Sequence, residues 1–101
     1  MADEPYNASE PDQVNARQKK ADRQAKRLKG FVKAVMGMAE GRQWVWSTLD
    51  RCGVYRNPFS DSPYVTAFNA GQMNIGQAIL AEVMAECPDL YLTMVKEQEN
   101  G

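Results

Sequence analysis

The stretch Asp12-Gln-Val-Asn-Ala-Arg-Gln-Lys-Lys-Ala-Asp-Arg-Gln-Ala-Lys-Arg-Leu-Lys-Gly-Phe-Val-Lys-Ala-Val-Met-Gly-Met-Ala39 decides the fold class. It contains no proline, and its first glycine is Gly30. Ala21, Ala25, Leu28, Val32, Val35 and Ala39 recur at alternating four- and three-residue steps, the spacing of a seam along one side of an α-helix. The first half of that seam is alanine on a charged background, which buries little area per residue. The second half adds Phe31, Met36 and Met38. The pattern predicts one long helix whose C-terminal part docks and whose N-terminal part projects. Upstream, Ser9-Glu-Pro-Asp12 suits a helix start, since the serine oxygen can accept a free amide and Asp12 favours the positive helix end.

Downstream the signals are again helical. Arg42 to Cys52 places Val45, Leu49 and Cys52 on one face, with Trp44 and Thr48 beside it. Gly53 suits the left-handed residue that closes a helix, and Val54 the apolar residue that folds back on Leu49. Tyr55 to Asp61 reads as a loop, with Pro58 restricting Asn57. Ser62-Pro63 reads as a cap and a first-turn proline opening a short helix with Tyr64, Val65 and Phe68, which Gly71 ends. Asn74-Ile-Gly-Gln77 has the spacing of a second start. It leads into a broad apolar face of Ile75, Ala78, Ile79 and Val83, with Leu80, Met84 and Cys87 adjacent. Pro88 begins a last helix on Leu90, Tyr91, Met94 and Val95. The expectation is an all-α protein of four or five helices with a long basic N-terminal helix. Its parts are a flexible acidic N-terminus over 1–11, a basic helical arm over 12–30 and a compact helical domain over 31–98. Tyr64, Phe68 and Tyr91 are read as core.

Charge is unevenly spread. Between Asn15 and Lys33 stand Arg17, Lys19, Lys20, Arg23, Lys26, Arg27, Lys29 and Lys33 against the single acid Asp22, in a chain of net charge −1. Residues 1 to 14 carry four acids and no base, and residues 82 to 101 five acids and one base. Such segregation guides partner choice more than the near-zero total. Arg17, Lys20, Arg23 and Arg27 approximate one stripe, and Lys19, Lys26 and Lys33 another. Either stripe suits phosphates or an acidic protein surface; the alternative is a solvated helix face. The absence of large apolar residues opposite Arg17 to Lys26 argues against insertion at a membrane surface. A sequence-specific DNA reader needs a docked recognition helix. The 74–87 segment offers Glu82 and Glu86, which repel phosphates.

The chain has no histidine, which removes the most adaptable acid–base residue and the commonest transition-metal ligand. Cys52 and Cys87 form no Cys-x-x-Cys pair, and they are read as reduced, small buried residues. No catalytic residue, metal or cofactor is expected. No stretch resembles a secretion signal or a membrane span, so synthesis in a cytoplasm is expected. Trp44 and Trp46, two apart on a helix, cannot share a face. One belongs to the core or its boundary, while the other, with Tyr55, is a candidate protein-interface anchor.

Three stretches carry a resemblance: Gly41-Arg-Gln-Trp-Val-Trp-Ser-Thr-Leu-Asp-Arg-Cys-Gly-Val-Tyr-Arg56, Thr66-Ala-Phe-Asn-Ala-Gly-Gln-Met-Asn-Ile-Gly76, and Ala81-Glu-Val-Met-Ala-Glu-Cys-Pro-Asp-Leu-Tyr-Leu-Thr-Met94. Together they resemble the small Bordetella-phage-type protein family of tailed bacteriophages, encoded among head and tail morphogenesis genes. The resemblance spans roughly residues 28 to 98 and stops short of the basic arm. It implies a phage context, within which the basic arm and the compact domain, lacking catalytic residues, suggest a non-enzymatic virion or assembly protein, made in the host cytoplasm and located in the virion. The expected partners are portal, connector or internal head proteins, with packaged DNA and a second copy of the chain as further candidates.

Overall fold

The computed structural model describes residues 11–100 and consists of four helices: α1 (Pro11–Met36), α2 (Ala39–Arg51), α3 (Pro63–Glu86) and α4 (Pro88–Asn100). The expected cap at Ser9 and the acidic stretch 1–10 lie outside the described residues. Contacts divide the chain into two units, Met1–Gly30 and Phe31–Gly101, and the division falls within α1. In the first unit, residues 14–30 are exposed on every side of the helix.

The second unit is built around Met36, Val45, Leu49, Val83, Cys87 and Met94, with Val32, Val35, Trp46, Val54, Ile79, Leu80, Leu90 and Tyr91 packed against them. Met36, Leu49 and Met94 have no exposed surface. Each such side chain contributes about 2 kcal/mol relative to leaving it in water. Helices α2, α3 and α4 all touch one another, and the last turns of α1 supply Val32, Val35 and Met36.

Helix α1 ends at Met36, three residues before the expected Ala39, with Gly37 N donating to Lys33 O at 2.9 Å. Gly41 sits in the first turn of α2, where a Cβ would come 1.9 Å from Val35 O near the end of α1. Only a residue without a side chain lets these two backbones approach so closely.

Helix α2 stops as expected. Gly53 has φ 70°, its N–H donates to Asp50 O, and Val54 N–H reaches back to Leu49 O at 3.2 Å. These are the two hydrogen bonds of a Schellman closure. The following loop is fastened to α3 by Asn69 Nδ2 donating to Pro58 O (3.2 Å) and by Ser60 N donating to Thr66 Oγ1 (2.9 Å). Ser62 caps α3, its Oγ accepting from Val65 N at 3.4 Å, with Pro63 in the first turn.

The largest departure from expectation is α3 itself. Gly71 does not end a helix and Asn74 does not start one; a single helix runs through both. One interior glycine costs only about 1 kcal/mol relative to alanine, and no proline interrupts Tyr64 to Glu86. The side facing the core also differs. It runs Asn69, Met73, Gly76, Leu80, Val83 and Cys87, at steps of four and three. Its pivot is Gly76, where a Cβ would lie 2.4 Å from Val54 Cγ2 and 2.6 Å from Cys52 Cβ. The close approach of the 52–54 turn at this glycine leaves Ile75 62% exposed and Met84 43% exposed. For the same reason Tyr64 (87%) and Phe68 (65%), expected in the core, stand in solvent. Phe31 and Met38 are likewise exposed, although Met36 between them is buried. Tyr91 does pack against the core. Pro88 forces Cys87 out of the helical region, which ends α3 and opens α4.

Candidate functional site

Two sets of residues were singled out as binding candidates, and they occupy different elements. Arg17, Lys19, Lys20, Arg23, Lys26, Arg27, Lys29 and Lys33 all lie on α1 and all are exposed. With Asp12 and Asp22 as the only acids, α1 carries a net charge of +6. Asp22 accepts a hydrogen bond from Gln18 Nε2 at 3.1 Å, four residues away on the same helix. At 3.6 residues per turn, the basic side chains cover about two thirds of the helix circumference. The remainder is the strip of Val14, Ala21, Ala25 and Leu28. Lys33, at the docked end, has Nζ 4.0 Å from Glu86 Oε1. At that separation, with the Lys33 side chain 60% exposed although Glu86 is only 17% exposed, the pair is a weak one.

The second unit has the opposite charge. Residues 31 to 100 hold five bases against eight acids. Its strongest polar contact is a clamp that sequence reading missed. Arg42 Nε and Nη2 donate to Glu97 Oε1 and Oε2 at 2.8 and 2.7 Å, and Nη1 donates to Met36 O at 3.0 Å. One guanidinium thus ties the start of α2 to the last turns of α4 and to an end carbonyl of α1. Bidentate pairing of this kind is the strong form of the ion pair. The hydrogen bond from Arg42 holds the Glu97 carboxyl below its ordinary range, partial burial opposing it. The same bond raises Arg42. The partners are 55 residues apart in sequence, so no local pattern announces them.

The aromatic candidates separate. Trp46 stacks on Tyr55, with ring centroids 5.5 Å apart and planes inclined by 25°. Tyr55 in turn shares a 2.8 Å hydrogen bond between its hydroxyl and that of Tyr91. Burial, and after it this hydrogen bond, push the Tyr55 phenol above its usual value. Trp46 and Tyr55 are therefore joined to each other and, through Tyr91, to α4. Trp44 stands apart on α2 and is 63% exposed. An indole at that exposure is available as an anchor, whereas Trp46 is partly covered by its own fold.

Little else offers chemistry. A cavity of about 270 Å³ lies by the 52–58 turn and α3, lined among others by Cys52, Arg56, Asn69 and Gln72. Arg56 donates to Asp50 O and so helps close the turn. Both cysteines are free. Burial, and then the neighbouring Glu86, push the Cys87 thiol up, which keeps it protonated at neutral pH. Among the described residues no three His, Cys, Asp or Glu side chains come together as a metal site, and no helix is long and apolar enough to cross a membrane.

No curated protein and no solved structure matches the chain. A family of phage proteins does match, over residues 32–96. That interval holds most of the second unit, from Val32 to Lys96, and leaves out the basic part of α1 before Val32. With well over half of its length matched, the chain belongs to the Bbp19-like phage protein family.

Proposed function

We propose that this protein is a non-enzymatic structural or assembly component of the phage virion, attached through α1 to an acidic surface of a portal, connector or internal head protein. The observation that carries this reading is the opposition of charge within one chain. Arg17, Lys20, Arg23 and Arg27 follow one another at three- and four-residue steps on a helix exposed on every side, while the unit of residues 31–101 is net acidic. A helix of one sign favours a partner of the other, and it speeds encounter more than it tightens the final complex. The family membership supplies the phage context. Trp44 is the aromatic anchor offered by the second unit to the same assembly.

Pull-down of head and portal proteins by the wild-type chain and by a variant with Arg17, Lys20, Arg23 and Arg27 changed to Glu tests the proposal. The expected result is capture by the wild type and its loss in the variant; equal capture by both contradicts it. A second reading, non-specific contact with packaged DNA, rests on the same eight exposed cations. It predicts binding to mixed-sequence duplex whose logarithm falls with log salt at a slope of about −3 to −4 for four neutralised phosphates. An absence of duplex binding at physiological salt removes this second reading and leaves the first.

A further inference from the structure

We infer that α3 carries a homodimerisation face, the stripe Tyr64, Phe68, Gly71, Ile75 and Ala78, whose occupant is the same stripe of a second copy of this chain. This inference rests on α3 alone and is independent of what α1 binds. Helix α3 has two seams, each with four-then-three spacing. The first, Asn69 to Cys87, is occupied by the fold. The second lies about 140° further round the helix and is exposed: Tyr64 is 87% exposed, Phe68 65% and Ile75 62%, with Gly71 and Ala78 exposed between and after them. From Pro63 to Ala81 there is no charged residue. A helix apolar on both sides belongs to an element buried on both sides.

Three observations favour a second copy as the occupant. The first is charge: with no charged residue from Pro63 to Ala81, two copies can meet along this stripe without burying an unpaired charge. The second is shape. An antiparallel pair centred on Gly71 sets Tyr64 against Ala78, large against small, and Phe68 beside Ile75, with glycine at the crossing. The fold itself gives Gly71 no reason to be glycine, since a Cβ there meets nothing within 4 Å; a neighbouring helix backbone gives it one. The third is area. The exposed parts of Tyr64, Phe68 and Ile75 and their small neighbours amount to about 500 Å² per copy, or roughly 1,000 Å² per pair. That is the lower edge of specific interfaces.

The test is sedimentation equilibrium of the full chain from low to high micromolar concentration. The wild type is expected to show a monomer–dimer equilibrium. Phe68→Lys should weaken it at least about tenfold with helicity retained in circular dichroism, since its side chain supports no core. Gly71→Leu should weaken it comparably without lowering the melting temperature of the dilute, monomeric protein. Phe31→Lys, an exposed apolar site outside α3, should leave it unchanged. A wild type that stays monomeric throughout overturns the inference, and it is what a stripe covered by another protein or by the chain's own α1 would give. So does a dimer indifferent to Phe68→Lys and Gly71→Leu, or one weakened equally by Phe31→Lys.

Discussion

Residues 12–30 and residues 31–100 belong to one chain, and α1 runs through both, yet they are stabilised in different ways. The earlier segment has no buried side chain and holds its helix by composition: alanine, lysine, arginine and glutamine, all good helix formers. The later segment has weaker helix formers, seven aromatic residues between Trp44 and Tyr91, and five of the seven glycines, Gly37, Gly41, Gly53, Gly71 and Gly76. It is held by six buried side chains and by close approaches at Gly41 and Gly76. The lesson is that a helix whose residues are exposed is free to specialise in charge. A helix in the core must instead satisfy its neighbours before it can present anything to a partner.

Matched substitutions in the two regions should separate them. Leu49→Ala, at a site with no exposed surface, is expected to cost about 2–5 kcal/mol in chemical denaturation. Leu28→Ala, at a site 52% exposed, should change stability by no more than about 0.5 kcal/mol. Equal losses would erase the distinction between the regions.

Glycine gives a smaller but sharper contrast, because the sign should reverse. Gly76→Ala drives a methyl group into Val54 and Cys52 and should destabilise by about 1–3 kcal/mol. Gly30→Ala meets nothing within 4 Å and should stabilise the helix by about 0.5–1 kcal/mol. Thermal melts of both variants read the two signs directly.

The same comparison shows how much the residues disclose in advance. Helix class, the Gly53 stop and the Ser62-Pro63 start are legible because each depends on neighbours within four residues. The basic face is legible from composition alone. What stayed hidden depends on distant partners. Gly71 and Gly76 look alike as interruptions of an apolar segment, but Gly76 is required by the 52–54 turn and Gly71 by nothing inside the fold. Large aromatic side chains suggested that Tyr64 and Phe68 point inward. The inward face instead contains Asn69, Gly76 and Cys87, which are small or polar. Helix α3 carries two seams of four-then-three spacing, not one broad face, and the second is the exposed stripe.

The clamp between Arg42 and Glu97 yields a smaller, pH-dependent effect confined to the second region. Because the folded carboxyl sits below its unfolded value, the stability it contributes is complete above the ordinary glutamate value of about 4.3. It is lost as pH falls through the lowered folded value. Glu97→Gln should therefore melt at a lower temperature than wild type at pH 7, and the two should converge on acidification. Parallel melting curves from pH 7 to pH 3 would show that the clamp contributes nothing.

The central claim, that the basic face of α1 attaches this protein to the phage particle, is tested most directly by mass spectrometry of gradient-purified virions. Particles from phage encoding the wild-type chain are compared with particles from phage encoding Arg17, Lys20, Arg23 and Arg27 all changed to Glu. The account predicts the protein in wild-type particles and its depletion from variant particles, with the variant chain still folded and present in the infected cell. Absence of the protein from wild-type particles, or equal incorporation of both forms, would contradict it.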